Sequence, residues 1–127
     1  MEVEPQKPLK ILLVEDDPPT RAALQSVLSM AGHTTATADT LAAALEHIRG
    51  DQLDLMISDI QLPDGDGLTL MRQLRVLKPV VRGIALSGFG TDEDVDRSHQ
   101  AGFREHLVKP IDGQSLADAI RRTTLTS

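Results

Sequence analysis

Short apolar runs and helix-period stripes alternate five times along this chain, and that order constrains its fold more than any other feature. The runs are 11–14 (ILLV), 34–38 (TTATA), 53–58 (LDLMIS), 83–87 (GIALS) and 106–109 (HLVK). The first is followed by Leu24, Val27, Leu28 and Ala31, a helical stripe that Gly32 can end. The second leads to Leu41, Ala44, Leu45 and Ile48, closed by Gly50; the third to Leu68, Met71 and Leu74. The fourth leads to a polar helix over 91–101, opened by a capping box of Thr91 with Asp94. Leu116, Ala119 and Ile120 mark the last helix. Strand-then-helix alternation predicts an α/β fold with a parallel sheet. Most of the runs are continuously apolar rather than alternating, as expected of strands covered by helices on both faces.

A chain of 127 residues is long enough for one domain with a real core. The polar, proline-containing head 1–8 reads as a tail or linker, 9–122 as the domain, and 123–127 (TTLTS) as a C-terminal tail. No apolar run approaches the ~20 residues of a membrane helix, and the head lacks the apolar stretch of a secretory signal. The absence of cysteine excludes disulfides and thiolate metal sites and points to the cytoplasm. A formal charge of −6 argues against nucleic acid as a nonspecific partner. Phe89 and Phe103 are the only aromatics, too few for base stacking.

Ligands of open parallel sheets bind outside the carboxyl ends of the strands. The polar residues predicted there are Glu15, Asp16 and Asp17 after the first strand, Asp59 after the third, Ser87 and Gly88 after the fourth, and Lys109 with Pro110 after the fifth. Three or more clustered carboxylates repel one another, and a divalent cation relieves the repulsion. Oxygen ligands with retained waters suit Mg²⁺ beside phosphate. A carboxylate can attack phosphorus to give an aspartyl phosphate. The transferring group needs its equatorial oxygens neutralised, which Mg²⁺, Lys109 and the Ser87 hydroxyl can do together. Gly88 leaves room beside the reacting atom.

The motifs ILLVEDDPPTR, LMISDIQLPDGDG, ALSGFG and HLVKP, in this order and spacing, resemble a receiver domain, the phosphoacceptor module of bacterial response regulators and hybrid histidine kinases. The resemblance covers roughly residues 9–122. It implies a flavodoxin-like doubly wound (βα)5 fold, with five parallel strands ordered 2-1-3-4-5. It implies Asp59 as the phosphoacceptor, Asp16 as a direct Mg²⁺ ligand, Glu15 acting through water, and Gln61 lending its backbone carbonyl. Ser87 and Lys109 become the phosphate-contacting residues, and the Lys109–Pro110 peptide is expected to be cis. The partner implied is a sensor histidine kinase or a histidine phosphotransfer protein. The expectation is a signalling domain rather than an enzyme, within a hybrid sensor kinase or alternatively as a stand-alone regulator.

Other readings compete. Asp17 before Pro18-Pro19 suits a helix cap. Residues 64–67 suit a turn, and their likeness to a calcium loop fails on spacing. SGFGTDE lacks the third glycine of a dinucleotide-binding turn. His106 stands where the family commonly has Tyr or Phe as a switch side chain; it is either an ordinary surface histidine or a replacement for that switch. Phe89 and Gln61 flank the expected path of a water attacking the acyl phosphate, and the bulk of Phe89 would slow it. An aspartate-nucleophile phosphatase would need a second acid at the first strand, for which Asp17 is the candidate.

Overall fold

The computed structural model describes residues 7–125. Its elements are β1 (Lys10–Val14), α1 (Pro18–Met30), β2 (Thr34–Ala38), α2 (Leu41–Gly50), β3 (Leu55–Asp59), β4 (Gln61–Leu62), β5 (Gly65–Asp66), α3 (Gly67–Leu77), β6 (Arg82–Ser87), α4 (Asp92–Ala101), β7 (Glu105–Val108) and α5 (Gly113–Leu125). One parallel sheet has the order β2-β1-β3-β6-β7, and β4 pairs with β5 in a separate antiparallel hairpin. With that hairpin set aside, this is the expected order 2-1-3-4-5 of the flavodoxin-like doubly wound fold.

Side chains of successive strand residues point to opposite faces, which makes two cores. Leu12 and Val14 of β1, with Met56 and Ala85, meet Ile48 of α2 and Leu70, Met71 and Leu74 of α3. Ile11 and Leu13, with Leu55, Ile57, Ile84 and Leu86, meet Leu24 and Leu28 of α1 and Leu116, Ala119 and Ile120 of α5. Both faces are covered, which is why β1, β3 and β6 are apolar without alternation. The edge strands β2 and β7 are more exposed and more polar.

Helix ends follow local chemistry. Asp17 caps α1, accepting from the Thr20 amide at 3.1 Å. Thr91 and Asp94 form the expected reciprocal capping box on α4. Gly32 adopts φ +95° just beyond α1, a backbone region that other residues rarely enter.

Two expectations need correction. The tail assigned to 123–127 begins too early, because α5 runs to Leu125 and Thr123 is buried. The Thr123 and Thr124 hydroxyls donate back to the Ala119 and Ile120 carbonyls at 2.7 and 2.9 Å, so these polar β-branched residues are satisfied within a helix. Residues 1–6 of the head, and 126–127, lie outside the described residues. The segment 64–67 is more than a turn: it contributes β5, the α3 cap Asp66 and the first residue of α3.

Candidate functional site

The sheet reverses direction of winding between β1 and β3, and a crevice opens there at the strands' carboxyl ends. Val14 pairs with Ser58, so Glu15 and Asp16 leave β1 beside Asp59 at the tip of β3. Glu15 is fully buried and Asp59 is 6% exposed, whereas Asp16 is exposed. One carboxylate oxygen from each of the three lies within 4.8 Å of the others. Lys109, just after β7, reaches across: its Nζ donates to Asp59 Oδ2 at 2.9 Å and lies 2.6 Å from Glu15 Oε1.

The Glu15 contact is an ion pair without hydrogen-bond alignment, so buried Oε1 has no well-directed donor. Burial pushes the Glu15 carboxyl above its usual range; Lys109 opposes this and the Asp59 charge reinforces it. Burial also works against the Lys109 ammonium, but the Glu15 carboxylate at 2.6 Å and the hydrogen bond and charge of Asp59 outweigh it and raise the lysine. Three carboxylates against one ammonium leave two negative charges, since −3 + 1 = −2. An all-oxygen donor set with that residual charge, including a buried Glu15 oxygen without a well-directed donor, fits a hard divalent cation such as Mg²⁺. Glu15, Asp16 and Asp59 are the residues that would hold it.

Asp17 stands apart. Its carboxylate accepts from both the Thr20 amide and the Thr20 hydroxyl, which hold its pKa below the usual range. This carboxylate serves as the cap of α1.

The remaining residues form the rim. Gln61 is exposed in β4, and its N–H donates to Asp59 Oδ1 at 3.3 Å. Ser87 ends β6, 7% exposed, and its Oγ accepts from the Phe89 N–H at 3.0 Å. It makes no hydrogen bond to Asp59 or to the Lys109 side chain. A Cβ on Gly88 would meet no protein atom within 4 Å, so protein neighbours do not account for the glycine. The Lys109–Pro110 peptide is cis. Gln61, Ser87 and Phe89 line a cavity of about 610 Å³ together with Ile60, the residue after Asp59.

His106 is anchored, not free on the surface. Its Nε2–H donates to the Phe89 carbonyl at 2.9 Å, and Nδ1 lies 3.0 Å from Ser98 Oγ on α4. Phe89 thus links Ser87 Oγ, through its N–H, to His106, through its carbonyl.

Two features of the loop after Asp59 escape a reading by pattern. A Cβ on Gly67 would stand 2.3 Å from the Asp59 backbone oxygen, so only glycine lets α3 start against the phosphoacceptor's own backbone. Asp64 accepts from the Leu41 and Ala42 amides at 2.7 and 3.1 Å and so holds the loop to the start of α2. An Asp before a helix signals a cap in its own neighbourhood, but not one 22 residues away.

The family model for the response regulator receiver domain matches residues 11–121. The response regulator protein FleR of Pseudomonas aeruginosa is 32% identical over 116 residues, 91% of this chain and 24% of that protein. Sporulation initiation phosphotransferase F of Bacillus subtilis is 27% identical over 113 residues, 89% of this chain and 91% of that protein. The signal receiver domain of an HD domain-containing protein from Pseudomonas fluorescens superposes with a TM-score of 0.86 at 29% identity, covering 94% of this chain and 96% of that one. The chain spans about a quarter of the length of FleR and of the transcriptional regulatory protein GlrR of Escherichia coli. With its carboxylate triad, lysine and serine on this sheet, the chain belongs to the response regulator receiver domain family.

Proposed function

We propose that Asp59 accepts a phosphoryl group from a phosphohistidine on a sensor kinase or phosphotransfer protein. The observation that carries this reading is the convergence of Lys109 on Asp59 and Glu15 beside an exposed Asp16. An Asp59 carboxylate oxygen forms the new O–P bond as the N–P bond to the donor imidazole breaks, and the imidazole leaves with the electron pair. Bound Mg²⁺ would neutralise charge on the phosphoryl oxygens and on the triad. Lys109, already at the acceptor, supplies the remaining cation. Ser87 can turn its hydroxyl from Phe89 toward the new phosphoryl oxygens. The added charge of about −1.5 to −2 biases the rim residues toward a second arrangement. The family's known relation to histidine kinases supports this partner class.

The experiment is Mg²⁺-dependent labelling by acetyl phosphate, followed by intact-protein mass spectrometry. Wild type should gain one phosphoryl group and Asp59→Asn none. Equal labelling of both would refute the assignment.

The module's setting follows as a finer proposal. The LSGFG, AGF and HLVKP segments resemble receivers of hybrid sensor kinases. The gliding motility regulatory protein of Myxococcus xanthus is 36% identical over 121 residues, and the match covers 16% of that protein's length. Genomic sequence flanking this chain tests the assignment: a kinase domain in the same reading frame supports it, and stop codons at both ends reject it.

A further inference from the structure

The first turn of α1 leaves no amide for the backbone of the acidic loop before it. A helix starts with a few N–H groups that its own carbonyls do not satisfy. In α1 these belong to Asp17, Pro18, Pro19 and Thr20. The prolines carry no N–H. The Asp17 N–H donates to Glu15 Oε2 and the Thr20 N–H to Asp17 Oδ2, each at 3.1 Å.

The Arg21 guanidinium supplies what those amides do not. From one turn inside α1, its Nη1 donates to the Glu15 backbone carbonyl at 2.9 Å. On the other side of the residue, the Glu15 N–H donates to the Ala38 carbonyl of β2 at 3.0 Å. The Glu15 C=O and the Asp16 N–H share one planar peptide. Arg21 therefore fixes the plane from which Asp16 leaves the strand. This bears most on Asp16. Glu15 and Asp59 are both held by Lys109, and Asp59 also accepts the Gln61 N–H. The Asp16 carboxylate is exposed and, among the described residues, meets no donor. Its place within 4.8 Å of the other two carboxylates thus depends on its backbone.

We propose that Arg21 is a positioning residue for the divalent-cation site, acting through the Glu15 carbonyl on Asp16. This role rests on the reading that Glu15, Asp16 and Asp59 hold the metal that serves phosphoryl transfer to Asp59. Partners that orient metal ligands commonly matter about 10–100-fold in affinity. The charge of Arg21 works the other way, because it repels a nearby cation. The two effects differ in sign: losing only a charge tightens Mg²⁺, whereas losing a brace weakens it.

The test titrates MgCl₂ into metal-free protein by calorimetry and needs no phosphorylation. Arg21→Gln should weaken Mg²⁺ ~10-fold, at the low end of that range because the lost cation offsets part of the effect. Arg21→Lys keeps a cationic donor and should recover part of the loss. Arg49→Gln, which removes the same charge from the exposed face of α2, should bind as wild type does. In acetyl phosphate labelling, the half-saturating Mg²⁺ concentration of Arg21→Gln should rise by a larger factor than the rate at saturating Mg²⁺ falls. If Arg21→Gln fails to fold, Arg21→Met, which retains the packing of the stem, takes its place with the same expectation. Unchanged or tighter Mg²⁺ binding would overturn the role. So would a variant that melts lower, or is labelled more slowly at saturating Mg²⁺, with its half-saturation unmoved. Wild type that binds Mg²⁺ but takes no label at Asp59 would end the phosphoacceptor reading alone and leave the Arg21 comparison standing.

Discussion

The Lys109 ammonium lies 2.6 Å from the Glu15 carboxylate, closer than its 2.9 Å contact with Asp59. The lysine is thus shared between a buried acid that does no chemistry and the acid proposed to do it. Glu15 holds Lys109 in the crevice, and part of its own charge is left for a metal to balance.

Divalent binding should therefore depend on Glu15. Magnesium should raise the melting temperature of wild type, because it binds the folded site and not the open chain. In Glu15→Gln that rise should shrink markedly, while the metal-free protein melts no lower than wild type, since a buried, repelled carboxylate has been neutralised. Calorimetric melts with and without MgCl₂ check both halves.

Replacing Gly67 with alanine should damage stability and chemistry together. The new Cβ would collide with the Asp59 carbonyl and approach the Ile60 Cα at 3.0 Å. Overpacking of this kind costs ~1–3 kcal/mol. Denaturant midpoints should show that loss, and the initial rate of acetyl phosphate labelling should fall because the acceptor's backbone has moved.

Phe89, 61% exposed beside Gln61 and Ser87, should act as a water screen. Phe89→Ala should shorten the lifetime of the aspartyl phosphate ~3-fold or more, about 0.7 kcal/mol of barrier. An unchanged decay rate, read by ³²P loss, would remove Phe89 from the water path.

His106→Phe keeps the ring but loses both of its polar contacts. Each hydrogen bond is worth about 1 kcal/mol net. The variant should lose ~1–2 kcal/mol of stability, and the Phe89 amide should exchange faster as its loop comes free of β7. His106→Ala should match it on exchange if the hydrogen bonds, rather than the ring's bulk, hold the loop.

Acid should weaken the fold through His33. This residue is 5% exposed, and its Nδ1 accepts the Leu9 N–H at 3.0 Å while buried Nε2 meets no partner among the described residues. Burial holds its pKa below 6.5 in the folded state. The unfolded chain therefore takes up the proton first as pH falls. The stability is fully present above pH ~6.5 and is lost as pH drops through that value toward the lower folded pKa. Urea midpoints between about pH 7.5 and 5.5 should slope down in wild type, and less steeply in His33→Gln.

The sheet and its rim were legible because β1, β3 and β6 bury both faces, so apolar runs mark these strands and the polar residues after them mark the strand ends. Glu15, Asp59, Ser87 and Lys109 follow from that logic once the sheet is parallel. The β4–β5 hairpin was not legible, since two residues per strand carry no period. The last turn of α5 was hidden because Thr123 and Thr124 look like tail residues until their hydroxyls find carbonyls one turn back. The sequence shows that Ser87 belongs to the rim. That its hydroxyl is turned to the Phe89 amide appears only in three dimensions.

The acidic loop after Asp59 is fastened on two sides, with Asp64 on α2 and Asp66 accepting from the Thr69 amide on α3 at 2.7 Å. Across the crevice, the Ser87 and His106 side chains each meet the Phe89 backbone through one hydrogen bond, and His106 Nδ1 lies 3.0 Å from Ser98 Oγ on α4. The crevice is therefore a vice with one bolted jaw and one sliding jaw. A charge placed between them does mechanical work mainly on the sliding side, so any signal leaving Asp59 should travel out through α4 and β7, with α2 and α3 as the frame it pushes against.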